Sequence, residues 1–147
     1  MADPLSICAS VLTVAVAAVQ SISSLCQTVK SYQGRDKTLK RLHDELQDLI
    51  NILNQLKEVV VAHETSTLKL LKDPIARCHE LCGEFEETMK NFSGKSKTGL
   101  RDWTRMEFMR GDINTFIDTL GGYKSTIIIG VGTITMSVAY VVYLELY

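Results

Sequence analysis

A chain of 147 residues that is 46% apolar and 22% charged is long enough for one domain that buries roughly two-thirds of its unfolded surface, and too apolar to be disordered. A net charge of −1 excludes a global attraction to nucleic acid or to an anionic membrane, so any such attraction has to come from local patches. Cys8, Cys26, Cys78 and Cys82 all fall on apolar helical positions. They read as small buried thiols of a reducing compartment rather than as a disulfide framework. No Lys or Arg precedes Lys30, which argues against a secretory signal or a mitochondrial transit peptide, so a cytoplasmic chain is expected.

The first element runs from Pro4 to Val29 without a charge. Asp3-Pro4 is a helix start, because an Asp N-cap accepts free first-turn N–H groups and Pro at the first helical position has none to lose. Leu5, Cys8, Leu12, Ala15, Val19, Ile22, Cys26 and Val29 form one apolar stripe, and Ile7, Val11, Val14, Ala18 and Leu25 a second beside it. Such a helix is either sheathed by other helices or lies in lipid. The second stripe is expected to be the surplus. The contact face for a membrane or a partner is therefore placed on Leu5, Ile7, Val11, Leu12, Val14, Val16 and Ala18. Interspersed Ser and Gln, such as Ser21, Ser24 and Gln27, make the segment a poor permanent span. Gly34 is its natural stop.

Asp36 can cap the second helix. Leu39, Leu42, Leu46, Leu49, Leu53, Leu56 and Val60 repeat as a heptad seam, and the helix is expected to run to about His63. The third helix, capped by Thr65 or Ser66, carries Leu68, Leu71, Ile75, Cys78, Cys82, Phe85, Met89 and Phe92 in the same stepping. Pro74 interrupts it. The stripe keeps its phase across that proline, which favours a kinked helix over two helices with Asp73 as a fresh cap. Glu84, Glu86 and Glu87 are assigned to its solvated face.

Ser93 to Arg101 is a basic loop without apolar period. A fourth helix starts near Asp102 and points Trp103, Met106, Met109, Ile113, Phe116, Leu120, Tyr123 and Ile127 inward. Ser125 to Leu144 is uncharged and about as long as a membrane span. The bundle and a span compete for Ile127 to Gly130, and a packed or self-associating tail is favoured over a true span. Four helical segments with short links predict an all-α, up-down-up-down four-helix bundle with an apolar C-terminal helical extension. The bundle takes residues 1–135 and the tail 136–147. That arrangement gathers Lys30, Arg35, Lys37, Lys40 and Arg41 with Lys90, Lys95, Lys97, Arg101 and Arg105 at one pole. This basic pole is either a solvated end or a surface for anionic lipid or an acidic partner.

Chemistry-bearing patterns are weak. Gly94-Lys95-Ser96 ends like a phosphate-binding loop, but Met89 stands where the first Gly belongs and no strand precedes it. Cys78 and Cys82 share a helix face, while His43 and His63 lie on other segments, so zinc is not expected. No Ser/His or Cys/His spacing suggests a nucleophile. The expectation is a chain with no catalytic, cofactor-binding or metal-binding residues. It is not an enzyme and takes no cofactor, no nucleic acid and no small-molecule substrate.

The opening MADPLSICASVL, the segment LLKDPIARCHELC, and LRDWTRMEF followed by LGGYKSTIIIGVGTI resemble a fungal N-terminal domain of NACHT- and ankyrin-type signalling proteins. That domain is named after azaphilone pigment cluster protein L. The sharpest marks are Asp3-Pro4-Leu5-Ser6, Arg101-Asp102-Trp103 and Tyr123-Lys124-Ser125, and the resemblance covers about residues 1–135. It implies a HeLo-like helical bundle whose apolar N-terminal helix engages membranes in programmed cell death. Because such domains precede an NTPase and repeats, it also implies either a stand-alone form or the front end of a receptor. The expected function is non-enzymatic signalling by self-association, partner binding or membrane engagement. A tail-anchored integral protein with a cytosolic bundle is the alternative.

Overall fold

The computed structural model describes residues 3–32, 37–60, 65–94 and 110–146. They form four helices: α1 (Pro4–Tyr32), α2 (Lys37–Val59), α3 (Thr65–Gly94) and α4 (Arg110–Leu146). The chain is an all-α bundle in which these helices pack against one another. Pro4 stands first in α1, and the Ile7 N–H closes the first turn on the Asp3 carbonyl at 3.0 Å.

Interhelical contacts fix the directions. Ser21 meets His79 and Thr28 meets Glu86, so α1 and α3 run parallel. Arg41 meets Asp118 while Ile52 and Gln55 line a groove with Gly132 and Met136, so α2 and α4 run parallel. Ser23 and Lys30 share a cleft with Ile50 and His43, which sets α1 antiparallel to α2. The chain thus goes up, down, up and down. Around the ring, however, the order is α1, α2, α4, α3. Among the described residues no Cα of α1 comes within 8 Å of one in α4, nor any of α2 within 8 Å of one in α3. The link from α2 to α3 therefore joins diagonal corners, about 14 Å apart for helices packed 10 Å apart.

The α2 seam obeys its heptad, with Leu39, Leu42, Leu46, Leu49, Leu53 and Leu56 all fully buried. Each such leucine contributes about 1.5–3 kcal/mol of burial free energy. The described part of α2 ends at Val59, and His63 lies outside the described residues. Helix α3 runs unbroken through Pro74, and Leu68, Leu71, Ile75, Cys78, Cys82 and Met89 are buried along it.

In α1 the buried line differs from both expected stripes. It runs Cys8, Val11, Ala15, Ala18, Ile22, Leu25 and Val29, alternating steps of three and four down the boundary between them. Val11 and Ala18, expected on the contact face, are core residues. A helix this uniformly apolar has several lines that could serve as its seam. Packing selects the line where small residues let backbones approach. Ala15 and Ala18 lie on that line, and Ser21 beside it faces Gly83 of α3.

Glu86 is the second correction. It is buried, whereas Glu84 and Glu87 are exposed as expected. Helix α3 packs on two neighbours, so its buried face is wider than one seam. Phe85 turns to α4, where its ring stacks on Phe116 at 4.2 Å, and Glu86 turns to α1.

Along α4, Ile113, Phe116, Ile117, Leu120, Ile127, Val131 and Ile134 are buried. Trp103, Met106 and Met109 lie outside the described residues. Helix α4 passes the 135/136 boundary without a break. Full burial stops at Ile134, with Val138 partly packed against the core. The bundle thus takes Ile127 and Gly130 from the tail and leaves Ile128 and Ile129 exposed. Residues 139–146 project beyond Val138 as an overhang of about 12 Å at 1.5 Å per residue.

Candidate functional site

The polar ties between helices are structural. Glu86 Oε1 accepts hydrogen bonds from Ser24 Oγ at 2.7 Å and Thr28 Oγ1 at 3.0 Å, and Lys90 Nζ lies 3.1 Å away. Burial alone would push this carboxyl upward. The hydrogen bonds from Ser24, Lys90 and Thr28, with the Lys90 charge, outweigh burial and hold it below the ordinary carboxylate range. Lys124 Nζ meets Glu45 Oε1 at 2.8 Å and Asp48 Oδ2 at 3.9 Å, joining α4 to α2.

The four cysteines are free thiols and buried. Burial raises the Cys78 thiol to about 12 and the Cys82 thiol further. Cys26 shares a cleft with His43. Burial raises its thiol too, against the opposing charge of Lys30, so it stays protonated rather than becoming a nucleophile. Among the described residues no group of three or more His, Cys, Asp and Glu could hold a metal ion. His79 is exposed and His63 lies outside the described residues.

The expected contact face divides. Leu5 and Val16 are exposed, Ile7, Leu12 and Val14 are half-buried, and Val11 and Ala18 belong to the core. The surface that α1 offers is therefore Leu5, Leu12 and Val16. Beside it, Ser6, Ile7, Ser10 and Val11 form a groove of about 240 Å³ with Lys69 and Lys72 of α3.

At the opposite pole Lys30, Lys37, Lys40, Arg41 and Lys90 are exposed. Arg41 is tied to Asp118 at 3.7 Å and Asn114 at 3.5 Å, and Lys90 to Glu86. Arg35, Lys95, Lys97, Arg101 and Arg105 lie outside the described residues.

The bundle separates two features that the sequence leaves unrelated in space. The large exposed apolar side chains are Leu5, Val16, Leu70, Ile128, Ile129, Met136, Tyr140, Val142, Tyr143, Leu144 and Leu146. Apart from Val16, they lie toward the end formed by the α1 and α3 N-termini and the α4 C-terminus. Of the described cations, Lys30, Lys37, Lys40, Arg41 and Lys90 sit at the other end, while Lys69 and Lys72 stand at the apolar end beside Ile7. Leu5 and Lys30 are about 37 Å apart along α1 at 1.5 Å per residue. A bilayer met end-on by the intact bundle touches one of these poles and not the other.

A family model described as "Pigment biosynthesis cluster protein PigL N-terminal" matches residues 2–146. No match is found among curated proteins or among solved structures.

Proposed function

We infer the function from one premise: the chain belongs to the family of pigment biosynthesis cluster protein PigL N-terminal domains. We propose that it is a non-enzymatic, cytoplasmic signalling or effector domain. It acts by self-association, by binding a protein partner or by engaging a membrane through α1, in a process of the programmed-cell-death type. The observation that carries this reading is that α1 is uncharged from Pro4 to Val29 and holds more apolar surface than the bundle covers. Leu5 and Val16 stay exposed and Leu12 half-covered. Apolar surface of this kind marks a contact site for protein or lipid.

Dye release from vesicles of mixed neutral and anionic lipid tests the membrane arm, and size-exclusion chromatography the association arm. Leu12→Glu and Val16→Glu are expected to abolish release or to shift the oligomer. A monomer that leaves vesicles intact and is indifferent to both substitutions overturns the reading.

The alternative, a tail-anchored integral protein, draws on α4, whose apolar window has a mean hydropathy of 2.0 and is 22% buried. A span takes about 20 residues. The 12 residues from Thr135 to Leu146 fall short unless Ile127, Gly130, Val131 and Ile134 leave the core. Carbonate extraction separates the two: a spanning protein stays in the pellet.

A further inference from the structure

The outer side of α4 carries an apolar stripe that no helix among the described residues covers. Ile129, Met136, Tyr140 and Tyr143 are 70%, 75%, 62% and 58% exposed. At about 100° per residue the four fall within a sector of about 60°. That sector lies opposite the line by which α4 faces the bundle, Ile127, Val131, Ile134 and Val138. Between Lys124 and Glu145 the helix has no charge. Lys124 is held by Glu45, and Glu145 returns to the bundle-facing azimuth. The stripe is thus uncharged along its length, and the acid near its tip points away from it.

We propose that this outer face of α4, with its overhang, lies in the interfacial layer of a lipid bilayer, parallel to the surface and driven by apolar burial rather than by the basic pole. The inference rests on the membrane arm of the functional reading and names the surface that makes the contact.

One observation chooses lipid over a second copy of the chain, and another chooses a surface position over a span. First, apolar exposure on the overhang is not confined to the stripe. Val142, Leu144 and Leu146 are exposed on its flanks, so Tyr140 to Leu146 is apolar on most of its azimuths. A partner helix covers a seam of a/d width, whereas lipid covers every azimuth below the surface. Second, the free length of about 12 Å beyond Val138 is too short to cross a hydrocarbon core of about 30 Å. It is long enough to lie along one leaflet beside Ile129, with Tyr140 and Tyr143 at headgroup depth, where amphipathic rings settle. A helix lying along the surface keeps both ends of the bundle near it, so the basic pole is the competing driving force, and neutral lipid and high salt separate the two.

Flotation of the full chain with neutral phosphatidylcholine vesicles, and with vesicles containing phosphatidylserine, tests the proposal. Binding is expected to neutral vesicles and to survive high salt. The double substitution Met136→Glu with Tyr140→Glu is expected to lower it roughly tenfold or more, the equivalent of losing about one buried side chain. Both positions are exposed, and circular dichroism reports whether the variant keeps its helices. Lys37→Glu with Lys40→Glu leaves binding unchanged if the proposal holds.

Binding that needs phosphatidylserine and disappears with salt overturns it. So does a dimer, seen by sedimentation without vesicles, that Met136→Glu with Tyr140→Glu dissolves while vesicle binding is absent. Loss of binding on Leu12→Glu but not on Met136→Glu with Tyr140→Glu overturns this inference and leaves the role of α1 intact.

Discussion

Ser24 Oγ donates a 2.7 Å hydrogen bond to Glu86 Oε1, tying α1 to α3 at a buried carboxylate. The folded-state pKa of Glu86 is lowered, so its contribution is fully present above the unfolded value of about 4.3 and fades as pH falls through the folded one. Glu86→Ala is expected to cost about 1–3 kcal/mol at neutral pH, because it removes the charge-assisted hydrogen bonds that the carboxylate accepts from Ser24 and Thr28. In urea melts, the gap between the parent and Glu86→Gln should narrow as pH drops below that unfolded value. A gap independent of pH removes the carboxylate from the account.

The two faces of α1 give opposite expectations for the same change. Val11 is buried and Val16 exposed. Val11→Glu places an unpaired carboxylate in the core and should unfold the bundle or cost several kcal/mol. Val16→Glu should stay within about 0.5 kcal/mol of the parent. Thermal unfolding followed by circular dichroism checks both, and equal loss for the two contradicts the buried line.

Glycines in α4 separate helix propensity from packing. A Cβ on Gly130 would come within 2.8 Å of Leu71 Cγ, whereas one on Gly122 meets nothing within 4 Å. Alanine is favoured over glycine in a helix by about 1 kcal/mol, so Gly122→Ala should stabilise by up to that amount. Overpacking costs about 1–3 kcal/mol. Leu71 is itself buried and has little room to give, so Gly130→Ala should lower stability despite the better propensity. Chemical denaturation of the pair decides the sign.

Cys78 and Cys82 are fully buried, and burial keeps both thiols protonated. In the native protein they should resist an alkylating reagent, and their labelling should follow the unfolding transition as urea rises. Mass spectrometry of digested samples measures each site. Labelling before the transition places those thiols at a surface or in a locally opening segment.

Much of this fold is legible in a linear reading. The leucines of α2 from Leu39 to Leu56 declare both the element and its buried face, because polar residues fill its remaining positions and leave one line to bury. Helix α3 keeps its phase across Pro74 for the same reason. In α1 and at Glu86 the reading stops short. A segment apolar on two adjacent stripes does not mark its seam. A glutamate next to a seam position looks solvated until Ser24 and Thr28 arrive from another helix. The one available signal was that pair of hydroxyls, one turn apart on an otherwise apolar helix. Leu5, Leu12 and Val16 were legible as surplus apolar surface, but which others of the expected contact face would be covered, Val11 and Ala18, follows only from the choice of seam.

By itself, the sequence determined four helices and their alternating directions, since periodicity, capping residues and short links act locally. Only the tertiary structure decided that α1 lies next to α3 and diagonal to α4, which line of α1 is buried, and that Ile127, Val131 and Ile134 belong to the core. It also set the exposed apolar side chains of α4 at the end away from Lys30, Lys37, Lys40 and Arg41. The reason is physical: a heptad specifies that a face must be covered, but shape and closeness of approach between whole helices select what covers it and what is left over.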